Sequence, residues 1–239
     1  MCTVTFLPLN NSDFVLTSNR DEQTIRKPAL SPTIYNVHNS LLVFPKDLQA
    51  EGTWIATSGI QFTLCLLNGA FKKHERKGSY RKSRGLMLLD FFKYNNVNAF
   101  LNGYDFNDIE PFTLLILNTG GRHPQLTEVR WDGEIIYPKE IDTTVPHIWS
   151  SATLYNKETI AARENWFTEF LSKQTTYNEN TVLDFHHFGG NGDRGNSLVM
   201  NRDNVVRTVS ITSIARKNNL TNMIYKDVIN EKLYSRRIC

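Results

Sequence analysis

The stretches MCTVTFLPL at residues 1–9 and FVLTSNRDE at residues 14–22, separated by Asn10-Asn11-Ser12-Asp13, decide how this chain reads. Both runs are short and rich in β-branched and aromatic residues, and the polar cluster between them has turn chemistry, so the pair predicts a β-hairpin. With residues 10–13 as a four-residue loop, Leu9 and Phe14 close it. Cys2 is then expected opposite Asp21, Val4 opposite Asn19 and Phe6 opposite Thr17. Directly opposed side chains share a face with Cβ atoms ~4.5–5.5 Å apart, and Asn19 and Asp21 share a face by the period of two. This register gathers a thiol, an α-amine, a carboxylate and an amide at one end of a sheet. A slip of one residue sets Cys2 against Arg20 or Glu22 instead.

Working outward, residues 53–58 and 61–68 flank Gly59-Ile60 and predict a second hairpin. A basic stretch, 72–82, reads as a loop, and 85–101 as helical, with Met87, Leu88, Phe91 and Phe92 at helical spacing. Strands are expected at 112–118 and 126–131, the latter turning at Asp132-Gly133 into 134–137. Lys157 to Lys173 is the clearest helix, with Ile160, Phe167, Phe170 and Leu171 on one stripe and Asn156 as N-cap. A shorter helix is expected over 180–187, then strands at 197–201 and 204–212 and another at 221–229. Helices collected between runs of strands predict an α+β fold whose sheets are covered by helical layers. The βαβ alternation of a parallel doubly wound sheet is absent.

The chain of 239 residues carries 27 Lys+Arg against 24 Asp+Glu, and 40% of its residues are apolar. Such a chain buries about 70% of its unfolded surface, and it is read as one domain over residues 1–239. The composition excludes disorder, and a net charge of +3 spread along the chain leaves no nucleic-acid footprint. Cys2, Cys65 and Cys239 form neither a disulfide framework nor a C-x-x-C zinc site. No apolar run approaches the ~18 residues that span a bilayer, and no signal peptide is evident. A cytoplasmic location with reduced thiols is expected, with no metal and no cofactor.

Cys2 carries the chemistry. Trimming of Met1 leaves a cysteine whose α-amine titrates near ~7.7–8 and whose thiol titrates near ~8.5, so nucleophile and base lie in one residue. A carboxylate at Asp21 accepts from the ammonium and orients it. Other features carry less. Gly190 to Gly195 fits G-x-G-x-x-G, but a short helix precedes it and a strand follows, the reverse of a dinucleotide fingerprint. His186 and His187 are adjacent and cannot share one ion in regular structure. Cys65, within an apolar run, reads as an inert core thiol. The basic residues from Lys72 to Arg84 read as a solvated loop, or as a site for an anionic headgroup or phosphate such as that of an acyl-CoA. Ser151, a strand-end hydroxyl before the long helix, is a candidate substrate contact.

A Met1-Cys2 strand followed by Ser18-Asn19-Arg20-Asp21-Glu22 resembles the NRDE family, also called the transport and Golgi organization family. Gly52-Thr53-Trp54 matches a further piece, with Glu51 where the family commonly shows Gly. Asn68 ends the apolar strand that usually carries an Asn, and Ser83-Arg84-Gly85 matches the motif that opens a helix. Lys46-Asp47 stands where the family tends to show Gly-Arg-Asp.

The resemblance implies an N-terminal nucleophile hydrolase fold, a four-layer αββα sandwich of two antiparallel sheets. The start of the family is similar to the penicillin V acylase and bile salt hydrolase group. By motif position it implies that Cys2 is the nucleophile, that Asp21 holds the α-amine and that Asn68 helps to form the oxyanion hole. Asn19, Arg20 and Ser151 are the candidate substrate-binding residues. That group has an Arg where this chain has Ser18, and Arg20 points, by alternation, to the face opposite Asp21. Read locally, Asn68-Gly69 is also a plain type I′ turn. The implied activity is hydrolysis of an amide or thioester of a small molecule. The alternative is a non-catalytic binding or trafficking protein that holds lipid, acyl-CoA or haem cargo in the same pocket.

Overall fold

The structure, a computed structural model, describes residues 3–9, 12–174 and 176–238. The first hairpin forms as β1 (Thr3–Pro8) and β2 (Phe14–Gln23), paired antiparallel. Its register differs from the expected one by a single residue: Thr3 faces Asn19, Val4 faces Ser18, Thr5 faces Thr17 and Phe6 faces Leu16. The cause lies in the turn. The Leu9 N–H donates to the Asp13 carbonyl at 2.9 Å, so Leu9 and Asp13 close the loop in place of Leu9 and Phe14. The Asp13 side chain is in turn held by the Asn218 N–H at 3.0 Å. The expected pairing of Cys2 with Asp21 lies outside the described residues.

Because side chains alternate, the hairpin has two buried faces with different neighbours. Val4, Phe6, Phe14 and Leu16 join a core that includes Val43, Ile55, Cys65, Leu115 and Leu117 from the second sheet. Leu7 and Val15 turn the other way, toward Phe167, Val182 and Phe185. Strands buried on both sides lose polar alternation, and β2 shows this, with its first eight residues buried.

The first sheet runs β10 (His147–Ser150), β1, β2, β12 (Val206–Lys217), β13 (Leu220–Asp227), β14 (Lys232–Ile238), with the short β11 (Asn201–Arg202) on β12. The second runs in chain order from β3 (Leu30–Val37) and β4 (Ser40–Lys46) through β5 (Ile55–Thr57) and β6 (Phe62–Asn68). It continues through β7 (Phe112–Asn118) and β8 (Gln125–Trp131) to β9 (Ile136–Ile141). Every named strand pair is antiparallel. The helices α1 (Arg84–Asp90) and α2 (Val97–Gly103) pack Met87, Leu88 and Phe100 on the outer face of the second sheet. The helices α3 (Lys157–Lys173) and α4 (Glu179–Phe188) cover the outer face of the first. The result is the four-layer αββα sandwich of an α+β fold.

Several elements depart from expectation. The helical run 85–101 is broken between α1 and α2, because Asn95 takes a positive φ of 47° and the Asn96 side chain caps α2 through the Ala99 N–H at 2.9 Å. The strand expected at 197–201 shrinks to Asn201–Arg202. The carbonyls of Asn196, Ser197 and Leu198 are instead taken by the side chains of Arg163 and Asn19. Asn68-Gly69 is not a hairpin turn, since the partner strand of β6 begins only at Phe112. Among the described residues no helix is long and apolar enough to cross a membrane.

Candidate functional site

The last turns of β2 present consecutive residues to opposite sides of the first sheet. On the inner side, Arg20 is buried; it donates to the Asp47 carboxylate and lays its guanidinium 4.3 Å from the centre of the Trp54 ring. Asp47 also accepts from Arg26 Nε at 3.0 Å and from the backbone N–H groups of Gln49 and Ala50, each at 2.9 Å. Burial pushes the Asp47 carboxyl up, but the Ala50 N–H, Arg26 and Arg20 outweigh it and leave the pKa below the usual value.

These residues form one wall of a cavity of about 460 Å³. Leu66 and Asn68 at the end of β6 form a second wall, and residues 76–80 and 82–85 form a third. Two sequence motifs meet here. A Cβ on Gly52 would lie 2.4 Å from the Gly85 backbone, and one on Gly85 would lie 2.7 Å from the Thr53 carbonyl oxygen. The Gly-Thr-Trp and Ser-Arg-Gly segments can interlock only because both positions lack a side chain. Ser83 caps α1 by accepting from the Leu86 N–H, while Arg84 pairs with Glu110 at 3.0 Å and donates to the Pro111 carbonyl at 3.0 Å.

On the helical side of the sheet, Asn19 donates to the carbonyls of His186 at 3.1 Å and Leu198 at 2.7 Å. Its Oδ1 contacts His186 Nδ1, and His186 Nε2 lies 2.8 Å from the Thr5 hydroxyl. Burial and the nearby charge of Arg163 push His186 down to about 3, so the ring is neutral: Nδ1–H donates to Asn19 and Nε2 accepts from Thr5. Asp21 lies on the same face. Its carboxylate accepts from the Tyr155 hydroxyl and, at 2.5 Å, from the Thr208 hydroxyl. A β-bulge between Thr208 and Ser210 opposite Asp21 and Arg20 sets this aim. The Tyr155 ring lies 3.7 Å from the guanidinium carbon of the fully buried Arg163, which also donates to the Thr3 hydroxyl.

The six residues singled out from sequence therefore fall into groups. Arg20 and Asn68 line one cavity. Asp21 and Asn19 face the helical layer. Ser151 is buried and donates to the Asn68 carbonyl at 2.8 Å, tying the end of β10 to the end of β6. Cys2 lies outside the described residues. Sequence reasoning missed Tyr155, Arg163 and Thr208, which are far apart in the chain and carry no motif. Burial pushes the Cys65 thiol up to about 12, as befits a core position.

A family model for Transport and Golgi organisation 2 matches residues 1–188. The chain belongs to the Transport and Golgi organisation 2 family. No curated protein matches its sequence. Among solved structures it is similar to two variants of conjugated bile acid hydrolase from Clostridium perfringens, with TM-scores of 0.59 and 0.54 at 9% and 10% identity. Those alignments cover 98% and 99% of this chain and 92% of each of the others. An N-acylethanolamine-hydrolyzing acid amidase ortholog from Caenorhabditis elegans is also similar, with a TM-score of 0.50, 11% identity, and coverage of 89% of this chain and 92% of that one. At such identities the likeness is one of fold. This member of the Transport and Golgi organisation 2 family thus has the N-terminal nucleophile hydrolase architecture, and the interlocked glycines and the Arg20–Asp47 pair lie within the matched residues.

Proposed function

We propose that this protein is an N-terminal cysteine hydrolase acting on an amide or thioester of a small molecule. In this reading Met1 is removed and Cys2 is the nucleophile, with its own α-amine as base. The thiol proton passes to the amine as sulfur adds to the carbonyl carbon. The oxyanion accepts from the Asn68 side chain and from a backbone N–H; one such donor is worth about 3–4 kcal/mol in the transition state. The ammonium then protonates the departing nitrogen or sulfur as the old bond breaks. Water, deprotonated by the freed amine, attacks the acyl-cysteine, releasing the acid and restoring the thiol. Asp21, itself oriented by Tyr155 and Thr208, is assigned to hold the ammonium.

One observation carries this reading: Arg20 and Asn68 converge on a single cavity, and β1 begins its described course at Thr3, opposite the Asn19 that precedes Arg20. The test is intact mass together with a thiol-directed probe on the full chain. The expected result is loss of Met1 and labelling of Cys2 well ahead of Cys65. Retention of Met1 would falsify the mechanism, because an acylated nitrogen cannot serve as the base.

A further inference from the structure

Two of the three walls of the 460 Å³ cavity carry cations: Arg20, Arg26, Arg76, Lys77, Lys82 and Arg84 line it, against the carboxylates Glu22, Asp47 and Glu110. The inner carboxylates are shared. Asp47 and Glu22 each face both Arg20 and Arg26, and Glu110 faces Arg84 at 3.0 Å and Arg76 at 3.8 Å. Lys82 and Lys77 turn to Asp90 and Asp108, which lie outside the lining.

The outer pairs are loosely made. The Arg76 and Lys77 side chains are 76% and 68% exposed, at 3.8 Å and 3.7 Å from their partners. Exposed pairs of this kind are worth about 0–1 kcal/mol, so both cations can re-pair with an incoming anion at small cost. A Cβ on the neighbouring Gly78 would meet nothing within 4 Å, which leaves the loop room to adjust.

A wall of guanidinium and ammonium donors, none of which can accept, suits a ligand whose exposed atoms are all acceptors.

We propose that the cavity binds a phosphate-bearing small molecule, with Arg76 and Lys77 of the basic loop closing on the anion. Phosphate is favoured over a single carboxylate because several cations approach from different walls and a phosphate offers acceptors in all directions. The volume lies within the range of small-molecule sites. Where the cavity is also the hydrolase site, the inference names its substrate class and rests on that reading; anion binding itself needs no thiol.

The test is calorimetric titration of the full chain with inorganic pyrophosphate, with inorganic phosphate and with citrate as a polycarboxylate. Saturable one-to-one binding is expected, tighter for pyrophosphate than for citrate. Inorganic phosphate binding as tightly as pyrophosphate identifies the free ion as the ligand, and weaker binding identifies a larger phosphate compound. The pair Arg76→Ala/Lys77→Ala, both exposed, should weaken pyrophosphate about tenfold, the size of one lost charge-assisted hydrogen bond. The pair Lys232→Ala/Arg236→Ala on β14 should leave it unchanged. Absence of saturation, citrate binding as tightly as pyrophosphate, or equal loss in both pairs overturns the inference. Titration of Cys2→Ser separates the two readings. Binding there with an unreactive Cys2 in the parent chain rejects only hydrolysis, and a reactive Cys2 without binding rejects only the phosphate site.

Discussion

The Tyr155 hydroxyl donates a hydrogen bond to the Asp21 carboxylate while the face of the same ring lies against the Arg163 guanidinium. A buried arginine is thereby joined to a buried acid through an aromatic ring, and Arg163 reaches Thr3 as well. Two strands and a helix are locked together where β1 begins. Hydrogen bonds to charged groups are worth about 1.5–3 kcal/mol, so the arrangement fixes the Asp21 carboxylate as well as the fold around it.

Tyr155→Phe keeps the ring over Arg163 and removes only the hydroxyl. Stability should fall by about 1.5–3 kcal/mol in urea denaturation. In the hydrolase reading, the rate of Cys2 labelling against pH should also change, since Asp21 loses one of the groups that orient it. An unchanged labelling profile alongside the stability loss would leave Tyr155 with a structural role only.

The contact between Gly52 and Gly85 predicts an effect out of proportion to one methyl group. Gly85→Ala places a Cβ 2.7 Å from the Thr53 carbonyl oxygen and 2.9 Å from its nitrogen, both backbone atoms that cannot swing aside. Overpacking of this kind costs about 1–3 kcal/mol. Urea midpoints should fall accordingly, whereas Gly78→Ala, where a Cβ meets nothing, should leave them nearly unmoved.

His186 makes stability depend on pH. Its folded pKa is pushed down to about 3, below the ordinary value of 6.5. Between these values the unfolded chain takes up a proton that the folded chain refuses, so the stabilisation is complete above about pH 6.5 and is lost as pH falls toward 3. Across the whole window the term is on the order of 4–5 kcal/mol. His186→Gln should be less stable at pH 7, having lost the Asn19 and Thr5 partners, yet its urea midpoint should fall less steeply from pH 7 to 4. An equally steep profile in the variant would place the titration elsewhere.

Much of this architecture is legible in the residues themselves. The helix from Lys157 to Lys173 and its Asn156 cap stand where the apolar stripe and the cap residue put them; the strand at 112–118 announces itself by its apolar run, and the one expected at 126–131 by the alternation of Leu126, Glu128 and Arg130 with Thr127, Val129 and Trp131. The β3–β4 hairpin is hidden because its outer strand has no buried residue and carries Pro32, while its turn rests on His38 and Asn39 at positive φ in place of a glycine. The register of the β1–β2 hairpin depends on one turn hydrogen bond, from Leu9 to Asp13, which no side-chain pattern encodes. The site is legible only where motifs lie: Arg20, Asp21 and Asn68 can be named in advance. Tyr155, Arg163 and Thr208 reach Asp21 only through long-range packing of the helical layer.

Asp47 offers the sharpest test of the cavity wall. It is buried, it answers both Arg20 and Arg26, and it is held by two backbone N–H groups. Asp47→Asn keeps an oxygen for the backbone donors but presents the guanidiniums with a neutral amide. Breaking a buried pair from one side costs about 3–5 kcal/mol, moderated here by Glu22, which stands 3.6 Å from Arg20 and 3.5 Å from Arg26. The folded pKa of Asp47 lies below its ordinary value, so its contribution is present at neutral pH and is lost as pH falls through that folded value. The gap in urea midpoint between parent and variant should accordingly be widest near pH 7 and close as the pH is lowered below about 4. A gap that stays constant into acid would mean that Asp47 acts through its backbone bonds alone, and that the charge of the Arg20 pair contributes nothing to holding this wall in place.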